Sequence, residues 1–221
     1  MDRKLVITID GPAGAGKTTV SRQLAARLNY RYVDTGALYR GVALSAQRCG
    51  IDPRDDGALA AVLERLTLRF VRQQGETRLL SGGEDITDCI RTPEISMLAS
   101  AVSARPVVRQ FLLDVQRFMG QEKAAVFEGR DMGTVVFPDA DIKFYLDADP
   151  KVRAERRFGE IAPKTDVSLD AVAADMRKRD ESDMTRDVAP LKPAQDAIII
   201  DSSGLDIDAV VDRMLEAIDR L

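Results

Sequence analysis

The chain has 221 residues, 45% hydrophobic and 31% charged, with 32 basic against 36 acidic side chains and a net charge of −4. This composition suits one globular core domain over residues 1–221; it is too apolar for disorder and too acidic for a dedicated binder of nucleic-acid polymer. Histidine is absent, which removes every mechanism with an imidazole base and every His-ligated zinc site.

Leu5–Asp10 is a short apolar run that reads as a buried strand, too short for a signal sequence. It leads into Gly11-Pro12-Ala13-Gly14-Ala15-Gly16-Lys17-Thr18, and a helix pattern follows over Lys17–Leu28. A second strand is expected at Arg31–Asp34 and a helix at Ala37–Arg48, stopped by Gly50. Leu66–Asp88 alternates apolar and polar residues between turn formers. It predicts a small antiparallel hairpin or meander inserted into the core.

Thr92-Pro93 and Asp149-Pro150 each pair an N-cap with proline at the first helical position. Ser168 and Asp206 read as further caps, the last opening an amphipathic helix over Asp206–Leu221. Between them lie strands at Ala125–Glu128, Ile142–Asp147 and Ala197–Asp201. Strands alternating with helices give an α/β class with a five-stranded parallel sheet flanked by helices. Cys49 and Cys89 form no CxxC and are expected to be free, packed thiols in a reducing, cytoplasmic compartment. No apolar run approaches the ~20 residues of a membrane span, so no membrane partner is expected.

Residues 11–18 match GxxxxGK(S/T) between a strand and a helix, the P-loop NTPase pattern. Glycines let backbone N–H groups converge on phosphate oxygens at a helix N-terminus. Lys17 is placed to reach the β- and γ-phosphates, and the Thr18 hydroxyl is placed to ligate Mg²⁺. No Asn-Lys-x-Asp base-reading motif follows, which disfavours a guanine switch protein, and there is no second domain of motor size. A small P-loop chain rich in arginine suggests a phosphotransferase that closes over two substrates.

The arginines locate the second substrate. Arg40 follows the second strand and Arg130 the third, at carboxyl ends of parallel strands, where ligands bind in open α/β sheets. Arg109 lies on the helix after Pro106. Guanidinium groups suit bidentate phosphate binding. Arg153, Arg156 and Arg157 fall at i, i+3 and i+4 on one helix face. Arg179, Asp183 and Arg186 are spaced i, i+4, i+7 if the helix from Ser168 reaches that far. Between the two arms, Gly159–Asp166 is rich in turn formers, with Gly159 and Pro163 as hinge neighbours. Residues 153–186 thus read as a helical lid that brings positive charge onto a transferring phosphoryl group; the plainer alternative is two solvated amphipathic helices.

Five segments together carry a family resemblance: Ile9–Lys17, Asp34–Arg40, Glu128–Pro138, the Arg179-Asp180-x-x-Asp183 motif and Val188–Leu191. The chain resembles the bacterial cytidylate kinases along essentially its whole length, and Gly129–Pro138 is the most specific stretch. The resemblance implies a monomer that phosphorylates CMP and dCMP with ATP and Mg²⁺. It implies that Gly11, Pro12, Ala13, Gly14, Ala15, Gly16, Lys17, Thr18 and Thr19 hold ATP, and that Thr35, Arg40 and Arg130 hold the CMP phosphate. It implies that Ser100, Arg109 and Asp131 read cytosine and that Arg179, Asp183 and Arg186 contact sugar and phosphate. Arg156 and Arg157 would be lid residues near the transferred group. Thr35 stands where serine is frequent in the family, and Glu128 where aspartate is, which leaves open which acid supports Mg²⁺.

The base-reading trio makes chemical sense. Cytosine offers one amino donor and the acceptors N3 and O2, which a carboxylate, a guanidinium and a hydroxyl can pair. The acceptor is already a phosphate anion, so direct transfer needs no histidine. Two alternatives stay open: a P-loop kinase of another nucleoside monophosphate or small metabolite, and a non-catalytic ATP-binding module.

Overall fold

Five strands form one sheet in the computed structural model of the protein, which describes residues 3–73, 76–164 and 166–221. They are β1 (Val6–Asp10), β2 (Arg31–Asp34), β6 (Ala125–Gly129), β7 (Ile142–Asp147) and β8 (Ile198–Asp201), in the order β2-β6-β1-β7-β8. β1 pairs in parallel with both β6 and β7, and β7 with β8. Every residue of β1 and of β6 is buried, as central strands of a sheet covered on both faces require. Three further strands, β3 (Leu68–Gln73), β4 (Glu76–Ser81) and β5 (Glu84–Asp85), make a separate antiparallel sheet. This is the meander expected at 66–88; residues 74–75 lie outside the described residues.

The chain divides into two compact units, Met1–Tyr32 with Glu122–Leu221 and Val33–Gln121. The first holds α1 (Lys17–Leu28), α6 (Pro150–Ile161), α7 (Leu169–Thr185) and α8 (Ile207–Asp219). Its core joins Ile7, Ile9 and Phe144 to Leu24 of α1 and to Val211 and Met214 of α8. Burial of each such side chain contributes about 2 kcal/mol. The second unit holds α2 (Thr35–Arg48), α3 (Asp56–Leu63), α4 (Pro93–Ser103), α5 (Pro106–Gly120) and the antiparallel sheet. Leu38, Val42, Leu79, Ile86 and Leu112 are central to its own core. No helix among the described residues is long and apolar enough to cross a membrane.

The expected caps are present. Thr92, Asp149, Ser168 and Asp206 each accept a backbone N–H with the side chain, an interaction typically worth about 1 kcal/mol. Asp34 does the same for α2, accepting from Ala37 N at 3.0 Å. That cap moves the start of α2 to Thr35 rather than Ala37.

Three expectations are corrected. Gly159 is not in a turn: α6 runs through it to Ile161, and a 3₁₀ turn, Ala162–Lys164, follows. Phe158 and Ile161 pack against Ala154, Val172 and Met176, which offsets the ~1 kcal/mol helix cost of glycine. Thr165, within the expected tip, lies outside the described residues. Helix α7 ends at Thr185, so Arg186 is an extended residue at the cap rather than a third position on the helix face. Cys49 and Cys89 are free, as expected, but exposed rather than packed, because each sits at the end of a helical segment.

Candidate active site

The phosphate loop takes its shape from the end of β1. Gly11 has φ +149°, and a Cβ there would lie 2.0 Å from the Leu146 carbonyl oxygen of β7. Only glycine fits where the backbone leaves the sheet that close to its neighbour. The loop ends at Gly16, in the left-handed region, and α1 starts at Lys17, so the first N–H groups of the helix open onto the loop.

Lys17 is 7% exposed, and its Nζ donates to the Pro12 carbonyl at 2.6 Å. Burial holds its pKa well below the ordinary lysine value; the guanidiniums of Arg130 and Arg179 push the same way, while Glu128 and Asp10 oppose them. Several cations focused on one buried ammonium form an electrostatic setting that an anion would relieve. The Thr18 hydroxyl donates to Glu128 Oε1 at 2.8 Å.

Asp10, the last residue of β1, accepts the Met132 and Gly133 N–H groups at 2.9 and 2.8 Å. Those residues open a π-helical turn, Met132–Val136, directly after Arg130 and Asp131. Burial raises the Asp10 pKa to about 6, against the pull of its two backbone donors; Asp131 adds to the rise and Lys17 opposes it.

Four predicted residues form one chain of ion pairs. Arg130 Nε donates to Asp183 Oδ2 at 2.9 Å. Arg186 Nη1 lies 3.7 Å from Asp183 Oδ1, and its Nη2 lies 3.6 Å from Asp131 Oδ1. Asp131 and Asp183 are buried, so each carboxylate is held by guanidinium rather than water. Arg179 sits beside Asp180 on α7 and acts on Lys17 electrostatically.

The arginines of α6 do not act as one face. Arg153 is buried and tied to Asp180. Arg156 donates to the Ser202 hydroxyl and carbonyl at 3.0 and 2.7 Å, and that hydroxyl lies 3.4 Å from the Ala15 carbonyl of the loop. Arg157 is half-buried and pairs with Glu160 at 2.8 Å.

Within the second unit, Thr35 is the buried first residue of α2. Asp34 supports it from one side through its cap and holds Arg40 Nη2 at 2.8 Å with the other oxygen. Ser100 on α4 and Arg109 on α5 meet through Ser103. The Ser103 hydroxyl donates to the Ser100 carbonyl at 2.8 Å, and its carbonyl accepts from Arg109 Nη1 at 3.1 Å. Arg109 also lies over the Tyr39 ring, 5.6 Å from its centroid.

Sequence reasoning gave Asp10 and Asp180 no role of their own and placed Arg153 only among the lid arginines. Asp10 had a signal: a carboxylate ending a strand of otherwise apolar character must find donors when buried. The pairing of Arg153 with Asp180 and their contacts to Ala13 had no local signal, since they join residues far apart in the sequence.

The family described as Cytidylate kinase matches residues 7–220. A Cytidylate kinase of Geobacter sulfurreducens is 53% identical over 96% of this chain and 91% of its own length. One of Syntrophotalea carbinolica is 49% identical over 99% and 93%. Among solved structures, a shikimate kinase from Bacteroides thetaiotaomicron covers 98% of this chain and 99% of its own at a TM-score of 0.51 and 18% identity, a likeness of fold alone.

Proposed function

The chain belongs to the cytidylate kinase family, and from that premise we propose how its residues divide the work of the reaction. The reaction is transfer of the terminal phosphoryl group of ATP to CMP or dCMP, giving ADP and CDP or dCDP. The observation that supports the reading is the setting of Lys17: a P-loop lysine, buried, with Arg130 and Arg179 acting on it.

In this reading the N–H groups at the start of α1 and Lys17 Nζ hold the donor phosphates, and Lys17 exchanges its bond to the Pro12 carbonyl for phosphate oxygen. Thr18 and Glu128 suit Mg²⁺. They are two oxygen donors already joined at 2.8 Å, and no group of three or more His, Cys, Asp or Glu among the described residues forms an all-protein cage. Mg²⁺ takes few protein oxygens and completes its shell with phosphate and water. When bound, the ion neutralises charge on the phosphate oxygens.

Thr35 and Arg40 take the acceptor phosphate, with Arg40 aimed by Asp34. Arg130 adds charge to that phosphate while Asp183 fixes its orientation. Arg186, held between Asp131 and Asp183, contacts sugar and phosphate with Arg179 and Asp183. Ser100, Arg109 and Asp131 pair the cytosine edge. Arg156 and Arg157 belong to the lid. No proton need be stored on the protein, because the attacking oxygen belongs to a phosphate anion; catalysis is positioning and charge neutralisation. The enzyme works as a monomer in the cytoplasm.

The test is ADP release with ATP and Mg²⁺ against CMP, dCMP, UMP, AMP and dTMP. Turnover with CMP and dCMP far above the rest is expected. Equal turnover with UMP would remove Asp131 from base reading. No turnover with any nucleotide would bring forward the metabolite-kinase reading.

A further inference from the structure

The phosphate loop is held from outside at Ala13, through the two peptides that flank its Cα. Asp180, on α7, accepts the Ala13 N–H through Oδ1 at 3.2 Å. Arg153, on α6, donates from Nη1 to the Ala13 carbonyl at 2.9 Å. The two side chains are ion-paired with each other, and both are buried. Arg153 Nε also donates to the Ala148 carbonyl just past β7, at 3.0 Å. The next loop residue confirms how close the helices lie: a Cβ on Gly14 would meet the Arg153 carbonyl oxygen and Met176 Cε, each at 2.7 Å.

We infer that Arg153 and Asp180 are positioning residues for ATP. Together they fix the two peptide planes that flank the Ala13 Cα, and the second of these carries the Gly14 N–H and sets where it points. The Ala13 N–H itself is spent on Asp180, so the phosphate cradle begins at Gly14. Asp180 also stands one helical turn before Asp183, whose carboxylate holds Arg130. Helix α7 therefore bears on the donor loop with one carboxylate and on the Arg130 network with the next. A neutral pair at 153 and 180 would leave the loop and α7 free to move separately. This inference rests on the reading that the loop holds ATP.

The test is a steady-state comparison of Asp180→Asn and Arg153→Gln with the parent, varying ATP and CMP independently, alongside Lys17→Met and a thermal melt of each. Displacing a donor cradle by about 1 Å costs on the order of ten- to a hundredfold, so both variants should raise KM for ATP by about tenfold or more. KM for CMP should change much less, and Arg153→Lys, which keeps a cation beside Asp180, should recover part of the loss. A lowered melting temperature with KM for ATP unchanged would mean that the pair only stabilises the fold, and would overturn the inference. Equal rises in both KM values would overturn it too. If Asp180→Asn does not fold, Arg153→Gln, which keeps an N–H for the Ala13 carbonyl, carries the comparison. An unchanged KM for ATP and kcat in Lys17→Met would instead overturn the loop assignment beneath it.

Discussion

The Thr18 hydroxyl donates to Glu128 across 2.8 Å, joining the first turn of α1 to the end of β6. A hydroxyl that donates to a carboxylate keeps its lone pairs directed elsewhere. The contact therefore aims both oxygens while α1 fixes the distance to Lys17.

Glu128→Gln is expected to raise the free Mg²⁺ concentration needed for half-maximal rate by roughly tenfold, the usual lower cost of losing a partner at a metal site. KM for CMP should hold. A rate titration against free Mg²⁺ at saturating ATP and CMP decides it; an unchanged midpoint would assign the ion to Thr18 and phosphate alone.

Lys17→Met separates stability from activity. The buried ammonium carries a lowered pKa, so keeping it charged at neutral pH costs the folded state. The variant should melt higher, by about 2–4 °C for each kcal/mol recovered in a chain of this size. Its kcat should fall by at least about a hundredfold, as for loss of an oriented charge at a transferring group. Calorimetry and ADP release on the same preparation check both; a drop in melting temperature would mean that Lys17 is needed by the fold.

Asp10 gives the stability a pH dependence of known sign. Its folded pKa is about 6 against an ordinary 3.8. A raised folded pKa contributes stability that is full below the unfolded value and lost as pH rises through the folded one. Between about pH 4 and about pH 6.5 that contribution should fall by up to about 3 kcal/mol, at 1.36 kcal/mol per pKa unit. At about pH 4 Asp10→Asn should be less stable than the parent, because one backbone N–H loses its acceptor at about 1–3 kcal/mol. The gap to the parent should narrow as pH rises through this window. Urea melts across it would show a constant gap if the carboxyl titrated normally.

The strands, the caps and the P-loop were legible because each is written in neighbouring residues. Val6–Ile9 is apolar but for Thr8, Thr92 and Asp149 stand directly before a proline, and Gly11–Thr18 is one contiguous pattern. Gly159 was misread because helix continuity there depends on Phe158 and Ile161 meeting Val172 and Met176 of another helix, which no local pattern records. The same holds for the site. Arg130 and Asp131 were visible at a strand end, whereas the pairing of Arg130 with Asp183 and of Arg153 with Asp180 appears only once α7 is placed.

Asp131 carries the discrimination between cytosine and uracil in the proposed site. Its carboxylate is buried, with Arg186 at 3.6 Å, so it is an acceptor with little water available. Cytosine presents an amino donor where uracil presents a carbonyl, and two acceptors facing each other leave both unpaired. Mispairing of this kind costs about 1–3 kcal/mol, or roughly ten- to a hundredfold. Asp131→Asn can turn an amide N–H toward the uracil carbonyl, so the ratio of kcat/KM for CMP over UMP should fall by about that factor. Asp131→Ala should lower the ratio as well, while weakening CMP more than UMP. The companion control is Asp183→Asn, which loosens Arg130 and Arg186 without touching the base. It should depress both nucleotides together and leave the ratio intact. A ratio unchanged in Asp131→Asn but altered in Asp183→Asn would transfer the selection of the base from the carboxylate to the guanidiniums around it.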